Sequence, residues 1–405
     1  MSTLAPTRLR AAARTESSWA RVPRVDWPLL LATAALLVIG TLLVWSATAQ
    51  RDTLTEGDPQ AYLRRHLVNI AIGIVLAVLV AATDHRWVRI LAPVLYAGSL
   101  VGLALVFVMG STINGSRSWI VLGGMSIQPS EFAKLSVVVM MALVVAERTE
   151  GSWRQREVRH LDVVGMLAVA ALPAAMILLQ PDLGTVLVLT ATVFGVIAAS
   201  GAPRRWLGGL AVGGIAVATV AVVGGVLKPY QIDRFMAFTN PALDPRGAGY
   251  NTEQARIAIG NGGIFGQGLF HGSQTRAGFV PEQQTDFIFT VAGEELGLLG
   301  AGLLILLLAV VIRRALSISL HSEDLFGRLV AAGIACWFGF QAFQNIGMCL
   351  GIMPVTGVPL PLVSYGGTSM FASLMAVGLL HNIHARNQRS LGLGVSSTYQ
   401  SRSRY

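Results

Sequence analysis

The sequence predicts an all-α polytopic membrane protein with about ten transmembrane helices and one large extracytoplasmic loop between the seventh and the eighth. Hydrophobic residues make up 53% of the 405-residue chain and charged residues only 13%, whereas soluble domains carry about 25% charged residues. Ten apolar runs approach the roughly 20 residues that a helical span needs. They cover approximately residues 28–49, 67–82, 90–109, 132–146, 161–179, 183–199, 206–226, 287–312, 326–349 and 364–385.

The positive charge of the chain follows the pattern of a membrane topology. If the N-terminus is cytoplasmic, 20 of the 30 lysines and arginines fall in inside segments, and most of them border a span closely. This positive-inside bias predicts that both termini are cytoplasmic. The net charge of +9 is therefore a topology signal and an attraction to anionic lipid, and it does not indicate a nucleic-acid partner.

The two ends of the chain are predicted to be disordered cytoplasmic tails on either side of one membrane domain, residues 26–386. Residues 1–25 are Arg-rich, but the apolar run that follows is about 22 residues long, too long for a signal-peptide core. Residues 387–405 are rich in Ser and Arg. Cys336 and Cys349 are roughly 20 Å apart along the ninth span, which is too far for a disulfide.

A lysine and a glutamate begin the fourth span. Arg117 precedes the run Gln128-Pro-Ser-Glu-Phe-Ala-Lys. Pro129 suits the first position of a helix, which places Glu131 in the first turn, where the helix dipole favours an anion. Glu131 and Lys134 are spaced i, i+3 and share one helix face. Two explanations of these charges stay open. Glu131 caps the helix and forms a local ion pair with Lys134, or the two side chains line a polar cavity.

Two other polar features are predicted on the same side. The tight turn Gln180-Pro-Asp carries one acid, Asp182, in an exposed position, and a role as N-cap of the sixth span explains it at least as well as catalysis does. Residues 351–369, with Ser364 among them, contain too much Pro and Gly to be regular helix throughout. Irregular backbone at membrane depth is tolerated only where protein or a water-filled cavity covers it, so this segment is predicted to be a re-entrant cavity wall.

The long polar insert, residues 228–285, contains Arg234, Arg246 and a glycine-rich run over residues 260–268. No strand precedes these glycines and no Lys-Ser/Thr follows them, which excludes a Walker or Rossmann phosphate loop. Flexible backbone that lines a lipid-facing groove is the expectation instead.

The insert delivers two acids, Glu282 and Asp286, to the point where the loop becomes the eighth span. A carboxylate at the membrane edge is costly to desolvate, which makes Asp286 a candidate for a functional acid. The alternative is that Asp286 caps the helix that enters at Phe287. Glu294 and Glu295 follow inside the span and are expected to be buried against neighbouring helices or to face the cavity.

Seven motifs occur in a fixed order along the membrane domain. They are Asn114-Gly-Ser-Arg-Ser-Trp, Gln128-Pro-Ser-Glu-Phe-Ala-Lys-Leu, Gln180-Pro-Asp-Leu-Gly-Thr, Asp244-Pro-Arg-Gly-Ala-Gly-Tyr-Asn, Val280-Pro-Glu-Gln-Gln-Thr-Asp-Phe-Ile-Phe, Gly293-Glu-Glu-Leu-Gly and Pro361-Leu-Val-Ser-Tyr-Gly-Gly-Thr-Ser. With them the chain closely resembles the shape, elongation, division and sporulation (SEDS) family of bacterial envelope proteins. The runs Gly247-Ala-Gly-Tyr-Asn and Gly272-Ser-Gln-Thr are more similar to the elongation subgroup, RodA, than to the division subgroup, FtsW.

The resemblance implies a peptidoglycan glycosyltransferase that polymerises lipid II at the outer face of the bacterial cytoplasmic membrane and releases undecaprenyl pyrophosphate. It implies a class B penicillin-binding protein as the transpeptidase partner, beside other membrane proteins of the elongation complex. An α-linked donor and a β-linked product require one in-line displacement with inversion. That step needs a carboxylate base, and positive charge or a divalent metal, Mg²⁺ or Mn²⁺, for the pyrophosphate. No organic cofactor is implied.

The resemblance also assigns residues. Asp286 matches the essential acid of the family, as base or as metal ligand, and Glu131 and Lys134 match its polar cavity residues. Further candidates for the pyrophosphate or the cavity are Arg117, Arg234, Arg246, Glu282 and Ser364. Two other functions stay open. A lipid II flippase would not explain an external insert that ends in an acid, and in a non-catalytic scaffold for the penicillin-binding protein that acid would be replaceable.

Overall fold

The computed structural model describes residues 25–51, 55, 57–113, 116–122, 125–150, 157–224 and 247–402 of the chain. The helices within these residues are α1 (Trp27–Ala49), α2 (Ala61–Ala82), α3 (His85–Met109), α4 (Pro129–Glu150), α5 (His160–Leu179), α6 (Leu183–Ala199), α7 (Arg204–Val223), α8 (Ala248–Asn261), α9 (Ser273–Ala277), α10 (Ile288–Leu320), α11 (Leu325–Cys349) and α12 (Gly367–Arg402). The strands are β1 (Ser111–Ile113), β2 (Ser116–Leu122) and β3 (Met125–Ile127). Arg234, Arg246 and almost all of the predicted N-terminal tail lie outside the described residues.

Each of the ten predicted spans coincides with a helix, which confirms a polytopic and mostly helical membrane protein. Among the described residues, seven helices are long and apolar enough to cross a membrane, namely α1 to α5, α10 and α11. Helix α6 is apolar but has only 17 residues. The seventh and tenth predicted spans correspond to α7 and to the first part of α12.

Aspartates mark the beginning of four of these helices. Asp26, Asp84, Asp182 and Asp324 each accept a hydrogen bond from a main-chain N–H in the first turn of α1, α3, α6 and α11. The first N–H groups of a helix have no partner within it, and a side-chain oxygen at the N-cap satisfies one of them. Acids therefore fix where these helices start.

Helices α4 and α11 form the centre of the bundle, because most of their residues are buried, whereas few residues of α2 and α3 are buried. Helix α11 packs on α4, α6 and α10, and α1 also packs on α10. Helix α12 packs mainly on α2. The polar side chains of α4 and α11 are thus far from the outer surface of the bundle and need partners inside it.

A small antiparallel sheet with the strand order β1-β2-β3 lies between α3 and α4, and it is an addition to the predicted helical fold that the sequence analysis did not foresee. Arg117 is paired with Thr112, and Val121 is paired with Ser126. Trp, Ile and Val within β2 favour a strand over a helix. Strands of three and seven residues are too short for the sequence to distinguish them from a polar loop.

Helix α10 is broken at Gly297, whose φ of 67° lies in the left-handed region that glycine adopts without strain. The glycine-rich run packs against this break. The N–H groups of Gln267 and Gly268 donate to the carbonyls of Glu294 and Glu295 at 3.0 and 2.9 Å. These contacts give hydrogen-bond partners to carbonyls beside the break. The run is therefore docked on α10 and is not the flexible backbone that the sequence predicted, while its position along a lipid-facing groove stays a prediction.

Helix α12 continues past Asn387 to Arg402, where composition predicts a disordered tail. No proline follows Asn387 to interrupt the helix. The backbone of residues 387–402 is thus helical and extends the last membrane helix.

Candidate active site

Lys134 and Glu131 form a buried ion pair at the start of α4. The helix begins at Pro129, as predicted, so Glu131 lies in its first turn. Lys134 Nζ is 2.8 Å from Glu131 Oε1, and neither side chain is more than 1% exposed. The ammonium also lies 5.1 Å from the centre of the Trp337 ring, a cation–π contact. Glu131 Oε2 has no hydrogen-bond partner among the described residues.

Gln341 connects this ion pair to the irregular segment that precedes α12. Its Oε1 accepts hydrogen bonds from Lys134 Nζ at 2.8 Å and from Trp337 Nε1 at 2.6 Å. Its Nε2 donates to the carbonyl of Pro359 at 2.8 Å. Lys and Trp nitrogens only donate, so the partners fix the orientation of the amide. A local capping role therefore does not account for Glu131. It belongs to a hydrogen-bond network that connects α4, α11 and the irregular segment.

The irregular segment, residues 351–366, contains no regular helix or strand, as predicted. Three amides of α11 donate to it: Gln341 to the Pro359 carbonyl, Gln344 to Thr356 Oγ1 and Asn345 to the Val358 carbonyl, at 2.8, 2.7 and 2.7 Å. Ser364 is buried, and its hydroxyl oxygen accepts a hydrogen bond from the Leu360 N–H at 2.8 Å. Ser364 thus closes a turn in the wall of the segment, and its contact with substrate stays a prediction.

Asp182 caps α6 and also joins the polar network. Its carboxylate accepts hydrogen bonds from the N–H and the hydroxyl of Thr185 at 3.0 and 2.8 Å, which confirms the N-cap role. Gln128 Nε2 donates to it at 3.1 Å, and the charges of Lys134 and Glu131 both act on it. The expected exposed position is wrong, because Asp182 is half-buried beside the residue that precedes α4.

Asp286 ends a tight turn directly before α10. Its N–H donates to the carbonyl of Glu282 at 3.1 Å, and Asn345 Nδ2 donates to its carbonyl at 2.7 Å. A Cβ atom placed on Gly357 would lie 3.2 Å from Asp286 Oδ2, so the carboxylate lies beside the irregular segment. The N-cap residue of α10 is Phe287. The structure therefore does not place Asp286 at the capping position.

Arg51, at the end of α1, fastens the run that leads to Asp286. Its guanidinium donates to the side chain of Gln283 and to the carbonyls of Val280 and Thr275 at 3.3 and 3.4 Å. Burial lowers the pKa of Arg51, and the charge of Glu282 opposes this effect. Glu282 has a φ of 50°, a conformation that non-glycine residues rarely adopt and that concentrates at functional sites. Sequence analysis missed Arg51, because a charge just beyond a span is common in membrane proteins.

Sequence analysis also missed Gln341, Gln344 and Asn345. They are spaced i, i+3 and i+4, so they share one face of α11. All three are fully buried. Uncharged amides in an otherwise apolar span were the available signal, since polar groups at that depth need partners.

Arg117 makes no hydrogen bond or ion pair with this network within the part of the chain that the structure describes. Its Nε and Nη2 donate to the carbonyls of Gly110 and Val108, at 2.9 and 3.2 Å, at the end of α3. A cation is favourable at a helix C-terminus, so this contact has a structural explanation. The role of Arg117 at a pyrophosphate stays a prediction.

Glu294 and Glu295 are buried, as expected, and each anchors a loop. Glu294 accepts hydrogen bonds from the N–H groups of Gln274 and Thr275, at 2.7 and 2.9 Å, in the first turn of α9. Glu295 accepts a hydrogen bond from the hydroxyl of Ser46 at 2.6 Å. The Phe270 N–H donates to the same Ser46 hydroxyl at 3.1 Å, so both carboxylates support the loop that leads to Asp286.

The atoms around Asp286 suit a hard divalent cation that keeps most of its own water. No group of three or more His, Cys, Asp or Glu that could hold a metal occurs in the described residues, so no all-protein cage is formed there. Mg²⁺ commonly takes one or two carboxylates together with water and substrate phosphates. Asp286 fits that carboxylate. Asn345 Oδ1, which is buried and has no hydrogen-bond partner among the described residues, is an oxygen of the type that such ions accept.

Comparison with known proteins gives concordant matches over nearly the whole chain. A family model for FtsW, RodA and SpoVE, described as cell cycle protein, matches residues 27–389. Stage V sporulation protein E of Bacillus subtilis (strain 168) is 37% identical over 365 residues, which cover 88% of this chain and 96% of that protein. Peptidoglycan glycosyltransferase MrdB of Escherichia coli (strain K12) is 36% identical over 378 residues, which cover 91% and 96%.

A chain from a solved structure has the same fold. It comes from work on the structural coordination of polymerization and crosslinking by a peptidoglycan synthase complex. The TM-score is 0.73 at 33% sequence identity, with 90% of this chain and 98% of that chain covered. The identities to the sporulation protein and to MrdB differ by one percentage point, so the preference for the elongation subgroup stays a prediction.

Proposed function

The chain belongs to the FtsW/RodA/SpoVE family of cell cycle proteins, and on this premise we propose that it acts as a peptidoglycan glycosyltransferase that polymerises lipid II and releases undecaprenyl pyrophosphate. One observation carries the proposal: a single helix, α11, joins the candidate acid to the buried ion pair. Gln341 bonds to Lys134, and Asn345, one turn later, bonds to the main chain at Asp286. The chain is accordingly a multi-pass membrane enzyme with its acid at the end of a span.

In the proposed reaction the carboxylate of Asp286 takes the proton of the acceptor 4-hydroxyl as that oxygen attacks C1 of the donor sugar. The bond between C1 and the pyrophosphate oxygen breaks, and its electron pair leaves with undecaprenyl pyrophosphate. One in-line displacement inverts the configuration from α to β. A positioned general base of this kind contributes about 10²–10⁴-fold in rate.

The leaving pyrophosphate requires positive charge. Lys134 is already paired with Glu131, so the pair contributes little net charge as it stands. A divalent cation at Asp286, Mg²⁺ or Mn²⁺, would stabilise the developing charge when bound. Arg234 and Arg246, which lie outside the described residues, are the other candidates for this contact.

The catalytic end of the bundle is assigned to the outer face of the bacterial cytoplasmic membrane, with both termini cytoplasmic. Helix α10 begins beside Asp286 and carries Arg313 and Arg314 toward its other end. Arginines at a span border favour the cytoplasmic side. That orientation places Asp286 outside, where the glycan strand grows.

A class B penicillin-binding protein is the proposed partner, because a chain of the same fold is found in a peptidoglycan synthase complex that polymerises and crosslinks. An apolar cavity of about 260 Å³ between α10 and α11 has room for one or two apolar side chains from a partner's membrane helix. Its lining includes Leu308, Ile312, Phe343 and Ile346. Other membrane proteins of the elongation complex would bind elsewhere on the bundle.

Purified protein in vesicles with labelled lipid II distinguishes the three candidate functions. Glycan chains in the presence of Mg²⁺ or Mn²⁺ support the glycosyltransferase. Movement of lipid II between the leaflets without chains indicates a flippase. Binding of the added partner with neither chains nor lipid movement indicates a scaffold. Absence of chains, with and without the partner, would overturn the proposal.

A further inference from the structure

Asn345 ties two separate segments together at the candidate acid. Its Nδ2 donates to the carbonyl of Asp286 at 2.7 Å and to the carbonyl of Val358 at 2.7 Å. Carbonyl oxygens only accept, so the amide can stand in one orientation only. The side chain is fully buried, and both of its hydrogens are engaged in these two bonds.

The second of these segments also lies beside the carboxylate of Asp286. A Cβ atom on Gly357 would lie 3.2 Å from Asp286 Oδ2, and Gly357 has a φ of 70°, which favours glycine. Gly357 directly precedes Val358. Asn345 therefore holds both the main chain that bears the carboxylate and the backbone beside which the carboxylate lies.

We propose that Asn345 is a positioning residue of the glycosyltransferase reaction, which sets the direction of the Asp286 carboxylate through the carbonyls of Asp286 and Val358. The inference rests on the proposed function and on Asp286 as its acid. A general base must lie within hydrogen-bond reach of the proton that it takes. A misplacement of about 1 Å costs about 10²-fold in rate. Asn345 acts through the main chain and touches no reacting atom in this role.

Asn382 provides a matched control for the loss of a buried amide. It is also a buried asparagine, and its Nδ2 donates to the carbonyls of Val80, Ala81 and Thr83 at the end of α2. This contact lies outside the network around Asp286. Asn345→Ala and Asn382→Ala therefore remove the same chemical group and the same kind of bond, and they should lower the thermal stability of the protein by similar amounts.

The test measures initial rates of lipid II polymerisation by the purified full-length chain, at several lipid II concentrations, together with thermal unfolding in the same detergent. We expect Asn345→Ala to lower kcat about 10²-fold while KM stays within about threefold of wild type. Asn382→Ala should stay within about threefold of wild type in both constants. Asn345→Gln keeps both donors but is one methylene longer, so we expect a folded protein with kcat lowered at least about tenfold.

The outcomes separate the positioning role from the proposed function. If the wild type makes glycan and Asn345→Ala retains the kcat of Asn382→Ala, the positioning role is wrong and the proposed function stands. Full activity of Asn345→Gln likewise overturns the positioning role and leaves the proposed function standing. If neither Asn345 variant folds, the residue serves stability alone. A wild-type protein that makes no glycan overturns both proposals.

Discussion

The ammonium of Lys134 lies 2.8 Å from Glu131 Oε1, and both side chains are buried within the helix bundle. Taking two charges out of water costs several kcal/mol per ion, and their attraction offsets this only where the geometry is good and the remaining polar atoms have partners. Gln341 satisfies the lysine, whereas Glu131 Oε2 lacks a hydrogen-bond partner in the described part of the chain. Apolar side chains would serve stability better, which favours a functional role for the pair.

Lys134→Met leaves Glu131 buried without a counter-charge. We expect it to lower the free energy of unfolding by about 3–5 kcal/mol, and we expect the added change Glu131→Gln to restore most of that loss. Polymerisation should remain lost in both proteins, because neither retains the ammonium of Lys134. Thermal unfolding and the lipid II assay measure the two effects.

The variant Asp182→Ala is the control for this prediction. It removes an N-cap, which costs about 0.5–2 kcal/mol, and leaves the ion pair in place. We expect a smaller loss of activity than in Lys134→Met. An equal or larger loss, at matched amounts of folded protein, contradicts a functional role of the ion pair.

Asp324 joins three elements at the opposite end of α10. Its carboxylate lies 3.1 Å from His85 Nε2, 3.1 Å from Arg89 Nη2 and 3.4 Å from Arg386 Nη1. Burial favours the neutral acid, but the hydrogen bond and charge of His85 and the charge of Arg386 outweigh it. They hold the pKa of Asp324 well below its ordinary value.

The lowered pKa predicts a loss of stability in acid. As pH falls below about 4, the ordinary pKa of Asp, the unfolded chain binds the proton before the folded chain does, so stability decreases with falling pH. The contribution of Asp324 is fully present above that pH, and its slope is at most about 1.4 kcal/mol per pH unit. Asp324→Asn should be less stable than wild type near neutral pH. As the pH falls below about 4, it should lose less stability than wild type does. Thermal unfolding across this range checks the difference, and parallel curves would count against it.

The orientation of the chain is tested by single cysteines at two exposed positions, Ser273 and His321. Ser273 lies in the loop before Asp286, and His321 follows the far end of α10. With the native cysteines replaced, we expect Ser273→Cys to react with a membrane-impermeant thiol reagent in intact cells. His321→Cys should react only after the membrane is opened. The reverse pattern would invert the proposed topology.

Local geometry explains which parts of the site were predictable. Pro129, Glu131 and Lys134 lie within six residues, so helix start and i, i+3 spacing place the two charges together without knowledge of the fold. The partners of Gln341 and Asn345 are distant, because Lys134 is 207 residues from Gln341 and Asp286 is 59 residues from Asn345. Such pairs are set by how α4, α10 and α11 pack, which periodicity alone does not specify.

The glycine-rich run is a second feature whose structure the sequence alone did not predict. Its composition indicates backbone freedom, and freedom permits either mobility or close approach. In the structure the run packs closely against α10. The break at Gly297 leaves helix carbonyls without a partner in the helix, and the N–H groups of Gln267 and Gly268 donate to them. The sequence contains both halves of this contact, but only the packing of α10 brings them together.

Dependence on a divalent cation distinguishes a ligand role of Asp286 from a role as base alone. If the carboxylate also holds the metal, chelation should abolish glycan synthesis, and Mg²⁺ or Mn²⁺ should restore it. Asp286→Glu keeps a carboxylate but displaces it, so we expect excess metal to restore part of its activity. Full activity of the wild type in the presence of a chelator would exclude the metal role and leave the base.

The isosteric change Asp286→Asn separates acid chemistry from packing. Asn345 bonds to the main-chain carbonyl of Asp286, and an Asn side chain fits beside Gly357 as the Asp side chain does, so fold, membrane insertion and partner binding should persist. An amide cannot take the proton of the acceptor hydroxyl, and we expect glycan synthesis to fall by about 10²–10⁴-fold or more.

The competing explanation predicts the opposite result for this same protein. Asn is about as good an N-cap as Asp, so a purely capping residue would tolerate the change. The N-cap position of α10 is occupied by Phe287, which already argues against capping. Excess metal should not rescue Asp286→Asn, because the missing group is the base itself. Near-normal polymerisation of lipid II by purified Asp286→Asn, at matched amounts of folded protein, would remove the catalytic assignment and the mechanism built on it.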